Sequence, residues 1–218
     1  MNENTIDVLI LAGGKAQRLN GVDKGLTIVN GKPLIQHCVE RLCYNNLNLI
    51  ISANRNQEKY ACYANHIASD TIGDFKGPLA GIYSALNFMQ SEHLLVIPCD
   101  MPFSPLNLYF TLKNKINNSN TCAIVHEGRI EPLLLLVKRN HIASIINYLN
   151  NGRRSVIGWL KTSQCTYVEQ TGDSIQFFNI NTSQDIALAN ALMKNACTAD
   201  LKKDLTDTKN LFLPTILQ

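Results

Sequence analysis

Residues 8–24 read Val8-Leu9-Ile10-Leu11-Ala12-Gly13-Gly14-Lys15-Ala16-Gln17-Arg18-Leu19-Asn20-Gly21-Val22-Asp23-Lys24. Four consecutive aliphatic residues suit a strand buried on both faces, and the glycine pair ends it at a loop. The loop carries what a triphosphate needs, namely glycines that expose backbone N–H groups and the cations Lys15, Arg18 and Lys24. It is neither of the two commonest phosphate loops. The residue after Gly14-Lys15 is Ala16, so GxxxxGK[ST] is absent, and GxGxxG is absent too. From these residues alone, a glycine-rich turn with solvated Lys and Arg stands level with a phosphate-binding loop.

Working outward, Leu26 to Val29 followed by Asn30-Gly31 reads as a hairpin arm with a tight turn. Pro33 opens a helix with Leu34, Ile35, Cys38, Val39 and Leu42 near helical spacing. Leu47 to Ile51 reads as a second buried strand, Pro78 to Met89 as a helix, and His93 to Pro98 as a third strand ending at Cys99-Asp100. Ser104-Pro105 reads as a cap with a first-turn proline, giving a helix over Pro105 to Ile116. Ala123 to Val125 and Leu133 to Val137 read as strands around the Glu127-Gly128 turn, and a further helix ends at Gly152. Tyr167-Val168 and Ile175 to Ile180 look like two more strands. Thr182-Ser183-Gln184-Asp185 is a capping-box pattern opening a last helix.

Strands and helices alternating over residues 7 to 125 predict an α/β, Rossmann-like fold, a mostly parallel central sheet with helices on both faces. Ligands of such sheets bind at the carboxyl ends of the strands. Gly13-Gly14, Ser52, Asp70 and Asp100 each follow an apolar run, so the fold gathers them along one edge.

The 218 residues carry 20 Lys+Arg against 17 Asp+Glu, a net charge of +3, with 45% hydrophobic residues. That excludes disorder for most of the chain and is too weak and scattered a charge to indicate nucleic acid. The expected organisation is one domain over residues 1–197 and a tail over 198–218. The tail is polar and charged first, then apolar at Leu211-Phe212-Leu213, and by composition it is expected to be flexible. Seven cysteines without a CxxC pair read as reduced, mostly buried thiols. Met1 to Gly14 lacks the basic start of a signal peptide, and no stretch approaches a membrane span, so a cytoplasmic location without membrane contact is expected. The five histidines lack ligand spacing and read as structural or solvated; Trp159 reads as packing.

Leu-Ala-Gly-Gly-x3-Arg-x4-Asp-Lys at residues 11–24, with Gly31-Lys32-Pro33-Leu34 behind it, resembles the signature of the molybdenum cofactor guanylyltransferases. Gly77-Pro78-Leu79-Ala80-Gly81, Pro98-Cys99-Asp100-Met101-Pro102, Glu131-Pro132-Leu133 and Asn179-Ile180-Asn181-Thr182 resemble family motifs in the same order, over residues 7 to about 194. Relatives that activate sugars and alditol phosphates generally show Pro-Lys where this chain has Asp23-Lys24. The resemblance implies a fold of the nucleotide-diphospho-sugar transferase type. It also implies transfer of GMP from Mg-GTP to the terminal phosphate of molybdopterin, with pyrophosphate released.

By the same resemblance, Lys24, Arg18 and Asp100 are catalytic, with Asp100 the ligand of Mg²⁺ and Mn²⁺ the alternative ion. Leu11, Ala12, Gly13, Lys24, Ser52, Asp70 and Asp100 face the nucleotide, although Ser52 stands where bacterial members carry Asn. Asn179, Asn181 and Arg154 are candidates for the pterin substrate. Asp70 also reads as a turn residue, one of the two asparagines as a helix cap, and Arg154 as a solvated helix end. Substrate partners are GTP and molybdopterin, and transient contacts with other molybdenum-cofactor proteins are a further implication. The rival readings are a cytidylyl- or sugar-phosphate nucleotidyltransferase of the same fold and a non-catalytic nucleotide-binding docking module.

Overall fold

The computed structural model describes residues 5–12, 23–70 and 77–195. The first strand, β1 (Ile6–Leu11), lies inside a seven-stranded sheet. Its alternate residues serve opposite faces. Val8 and Ile10 join one core cluster, and Leu9 and Leu11 join another. Two covered faces explain why the strand reads as an unbroken aliphatic run.

A two-stranded hairpin, β2 (Ile28–Val29) and β3 (Lys32–Pro33), turns at Asn30 and Gly31, both with positive φ (46° and 78°). Such a turn favours Asn-Gly. Helix α1 (Leu34–Glu40) follows directly, then β4 (Leu47–Ser52), the short helix α2 (Gln57–Tyr60) and β5 (His66–Ala68). Helix α3 (Pro78–Ala85) has proline in its first turn and passes into a 3₁₀ turn over Leu86–Phe88, which completes the segment expected as one helix. Strand β6 (His93–Pro98) returns to the sheet on the other side of β1.

Strands β5, β4, β1 and β6 are parallel neighbours. Beyond β6 come β8 (Arg129–Lys138), antiparallel to it, then β7 (Thr121–His126) and β9 (Cys165–Glu169). The chain moves outward from β1 through β4 to β5, then crosses back to β6. The point of reversal between β1 and β6 is where sheets of this kind leave a crevice at their carboxyl ends.

Helices α1 and α4 (Leu108–Ile116) cover one face, with Ile35, Cys38, Leu108, Leu112 and Ile116 in the core. On the other face lie α3, α5 (Arg139–Ile142), α6 (Ser144–Asn150) and α7 (Val156–Thr162). Trp159 is buried there and donates to Ser144 Oγ at 3.0 Å, a packing role. A further helix, α8, occupies residues 183–195. Its Ala189 packs with Val29, Leu34 and Ile180 in a third small cluster.

Three local expectations change. Helix α4 begins at Leu108 rather than Pro105, because the carbonyls of Ser104 and Leu106 accept bonds from Arg41 Nε (2.7 Å) and Tyr44 Oη (2.9 Å) instead of starting a helix. Ile175 to Ile180 is not a strand. It contains a 3₁₀ turn over Ser174–Phe177, and its apolar residues serve two clusters, Phe177 the first and Ile180 the third. Of the described cysteines, Cys38, Cys99 and Cys122 are buried, whereas Cys43 and Cys62 are exposed, so burial holds for only part of the set. No helix among the described residues is long and apolar enough to cross a membrane.

Candidate active site

At the crevice, three strand ends are locked side by side. Ala12 N–H donates to the Ser52 carbonyl (3.0 Å), and Cys99 N–H donates to the Leu11 carbonyl (3.1 Å). The chain then leaves β6 through Cys99 and Asp100. Beneath this corner lies Cys38, its Sγ 3.4 Å from the Cys99 carbonyl. Burial, then the charge of Asp100, pushes the Cys38 thiol up to about 12, so it is an inert packing group.

Lys24 comes to this corner from the opposite direction, in a 3₁₀ turn over Lys24–Leu26. Its ammonium donates to Asp100 Oδ2, and to Asn181 Oδ1 at 2.6 Å. The turn is anchored from behind. Asp23 accepts from the Tyr60 hydroxyl and from Asn56 Nδ2 (2.9 Å). Burial, reinforced by the Asp23 carboxylate, drives the Tyr60 phenol far up, so it stays a donor. Gly25 makes the approach feasible, since a Cβ there would sit 2.6 Å from Tyr60 Oη. Asp23, Gly25 and Tyr60 thus hold Lys24 in place. Tyr60 escapes sequence reading because it is an ordinary apolar helix position 37 residues away.

Asn181 is fixed from the other side. Asp185 Oδ2 accepts from Asn181 N–H and Thr182 N–H, each at 2.8 Å, and Thr182 Oγ1 accepts from Asp185 N–H at 3.2 Å. This is the reciprocal capping box read from the sequence. For the Asp185 carboxyl, desolvation is the largest single influence and raises its pKa. The hydrogen bonds from Asn181 and Thr182, with nearby Lys24, outweigh it, and the net shift is downward. Ile180 N–H donates to the Asp100 carbonyl (2.9 Å), tying the two ends of the site together.

The other expected residues are placed as follows. Ser52 is buried against α3, its Oγ 2.5 Å from where a Cβ on Gly81 would lie. Asp70 pairs reciprocally with Asn54: Asn54 Nδ2 donates to Asp70 Oδ2 (2.7 Å), and Asp70 N–H donates to Asn54 Oδ1 (2.8 Å). That bridge joins the loops after β4 and β5. Asn179 lines a cavity of about 200 Å³ beside Asp100. Arg154 Nη1 donates to the Leu149 carbonyl at 2.7 Å, closing the end of α6. Arg18 and Gly13 lie outside the described residues. So does the 198–218 tail.

Glu131 faces the same cavity as Asn179. Burial raises its carboxyl pKa and the Asp100 charge adds to the rise, while His126 and Arg129 oppose it. Glu131 stands in a quoted motif, but nothing in the sequence says that β8 brings it opposite Asp100.

Asp100 Oδ1 is buried without a hydrogen-bond partner among the described residues. Beside a lysine and next to an open cavity, such an acceptor suits a divalent cation. One carboxylate with substrate phosphates and water is an ordinary Mg²⁺ ligand set.

The MobA-like NTP transferase domain family matches residues 8–165. Among individual proteins, the molybdenum cofactor guanylyltransferase of Histophilus somni is 38% identical over 184 residues, covering 84% of this chain and 94% of the relative. That of Shewanella woodyi is 37% identical over 192 residues, covering 87% and 98%. In three dimensions, the molybdopterin-guanine dinucleotide biosynthesis protein A of Archaeoglobus fulgidus superposes with a TM-score of 0.74 at 22% identity, over 87% of this chain and 100% of the other. The 4-diphosphocytidyl-2C-methyl-D-erythritol synthase of Anaerococcus prevotii gives 0.64 at 14% identity, over 88% and 96%. The two structural likenesses establish the fold as that of nucleotidyltransferases. With relatives this similar along nearly their whole length, the enzyme belongs to the molybdenum cofactor guanylyltransferase family.

Proposed function

We propose that the protein transfers the guanylyl group of GTP to the terminal phosphate of molybdopterin, giving the guanine dinucleotide and pyrophosphate. The observation that carries this reading is the Lys24 ammonium held between Asp100 and Asn181 at the strand-order reversal of the sheet, in a chain of this family. An oxygen of the acceptor phosphate attacks the α-phosphorus of GTP. The bond from that phosphorus to the oxygen bridging to the β-phosphate breaks, and its electron pair leaves with pyrophosphate. The nucleophile is already anionic near neutral pH, so the protein's task is alignment and charge neutralisation rather than proton removal.

Lys24 supplies positive charge to the leaving pyrophosphate, and Asn181 aims it. Leu11, Ala12 and Ser52 form the floor on the nucleoside side, with Asp70 and Asn54 bracing the neighbouring loops. Asp100 is the residue that would hold Mg²⁺, or Mn²⁺ in its place, and the ion would act as a Lewis acid at the α-phosphate. Arg154, whose Nη1 also closes the end of α6, is the remaining candidate for the pterin substrate. The reaction belongs in the cytoplasm, where thiols stay reduced.

Incubating the protein with Mg²⁺, molybdopterin and each nucleoside triphosphate in turn, then identifying the dinucleotide by mass, tests the reading. Guanine dinucleotide formed in preference to the others is expected. Faster turnover of CTP or UTP with a sugar phosphate would overturn it.

A further inference from the structure

The sheet is irregular at one place that bears on the site. Strand β8 pairs with β6 up to Val96–Leu135. On its other side the register jumps from Ala123–Leu135 to Ile124–Glu131, so Pro132, Leu133 and Leu134 have no partner in either ladder. Irregularities of this kind bend a strand and re-aim its side chains, and they are common beside active sites. In this sheet the interruption falls opposite Pro98 and Asp100 and leaves the 200 Å³ cavity. Its walls at Pro98, Pro132 and Leu133 are apolar, and its polar groups are Asp100, Glu131 and Asn179.

Glu131 is out of place in a site that must admit polyphosphate. Among the described residues no side-chain donor bonds to it, and Asp100 repels it. A half-buried carboxylate without a donor among the described residues suits a ligand that brings the donors. The cavity is smaller than the roughly 300–1,000 Å³ that whole ligands occupy, which fits a single flat heterocycle between apolar walls.

We propose that this cavity receives a 2-amino-4-oxopyrimidine edge, whose ring N–H and exocyclic amino group donate side by side to the Glu131 carboxylate while Asn179 meets the oxo group. The proposal rests on the guanylyl-transfer reading and adds a specificity-determining residue to it. Both substrates carry this edge; with the nucleoside assigned to the Leu11, Ala12 and Ser52 side, the acceptor's pterin is the expected occupant, and guanine is the outcome the second probe pair distinguishes.

The test uses the full chain with Mg²⁺ and two pairs of probes, each pair differing at the 2-amino group: 6-hydroxymethylpterin against 6-hydroxymethyllumazine, and GDP against IDP. Binding is measured for the wild type and for Glu131→Gln, with melting temperature as the check on folding and Glu131→Ala as the second variant. The wild type should prefer one amino-bearing partner about tenfold or more, because a site built around a hydrogen bond rejects the analogue lacking it. Glu131→Gln should abolish that preference. Loss confined to the pterin pair assigns the cavity to the acceptor, and loss confined to GDP over IDP assigns it to the nucleobase. A wild type without either preference, or a Glu131→Gln protein that keeps it, overturns the proposal. GMP transfer by the same preparation reports on the parent reading separately. Absent transfer with a Glu131-dependent preference sinks the activity alone, and normal transfer with no preference sinks the cavity alone.

Discussion

The two halves of the sheet solve different problems. In β5, β4, β1 and β6 the strands are parallel, their registers run without a break, and their ends are bonded to one another at Leu11, Ser52 and Cys99. The other half, β8, β7 and β9, mixes directions and breaks its register opposite Asp100. The regular half therefore offers a fixed line of backbone, and the irregular half, with the segment behind it, sends in the side chains Glu131, Asn179 and Asn181. Precision of position comes from one half and chemical variety from the other.

Substitutions at the seam should show the largest effects. Asp100→Ala removes the end of β6's contribution and the proposed metal ligand together. It should lower single-turnover rate by roughly 10³-fold, about 4 kcal/mol, with circular dichroism unchanged. A near-normal rate at saturating Mg²⁺ would show that the regular half supplies only scaffold. Next in size is Lys24→Ala, expected to reduce kcat about 10²-fold with a smaller change in GTP affinity, since its charge is assigned to the leaving group. Full recovery of turnover at saturating GTP would make Lys24 a binding group alone.

Within the regular half, Gly81→Ala places a Cβ 2.5 Å from Ser52 Oγ and 2.9 Å from Leu11 Cδ2. Overpacking there should destabilise the protein by about 1–3 kcal/mol, seen as a lower melting temperature. An unchanged melting temperature would show that the strand ends are less firmly held than their bonding suggests. The smallest effect belongs to the other side of the crevice. Asp185→Ala removes the capping box of α8 and should cost about 1 kcal/mol. Because the folded state holds the Asp185 pKa below its unfolded value, its contribution is fully present above the ordinary aspartate range, about pH 4, and fades as acid takes the pH through the lowered value. The stability difference between wild type and variant should therefore narrow only in acid. A difference that narrowed on the alkaline side instead would remove Asp185 from this role.

Three of the four strands in the regular half were legible because burial on both faces writes itself as aliphatic runs: Val8 to Leu11, Leu47 to Ile51 and His93 to Pro98 were readable as strands, and their common direction followed from the helices between them, whereas the three-residue β5 is too short to leave such a run. Asn30-Gly31 and Thr182 to Asp185 were readable because their chemistry is local. Leu133 to Val137 was visible as a strand turned back on β7 at Glu127-Gly128, but an aliphatic run carries no sign of its other neighbour, so the antiparallel place of β8 beside β6 was hidden. So was the register break that brings Glu131 to Asp100. Ile175 to Ile180 looked like a strand because its apolar residues are spaced for burial, yet they are buried in separate clusters. Lys24 and Asp100 could be named from motifs, whereas Tyr60 behind Asp23 depends on a contact that no short-range pattern encodes.

Lys24 and Asn181 meet across 157 residues. During synthesis from the N-terminus, every strand of the large sheet has been made once Glu169 is in place, and Lys24 and Asp100 are long since available. Asn181 and the helix that caps it are made afterwards. A chain interrupted between residues 170 and 180 would thus carry these strands with Lys24 paired to Asp100 but without its second partner, Asn181. Order of manufacture makes α8 the element that completes this set of side chains, so copies unfinished at that point lack Asn181 and the cap that holds it.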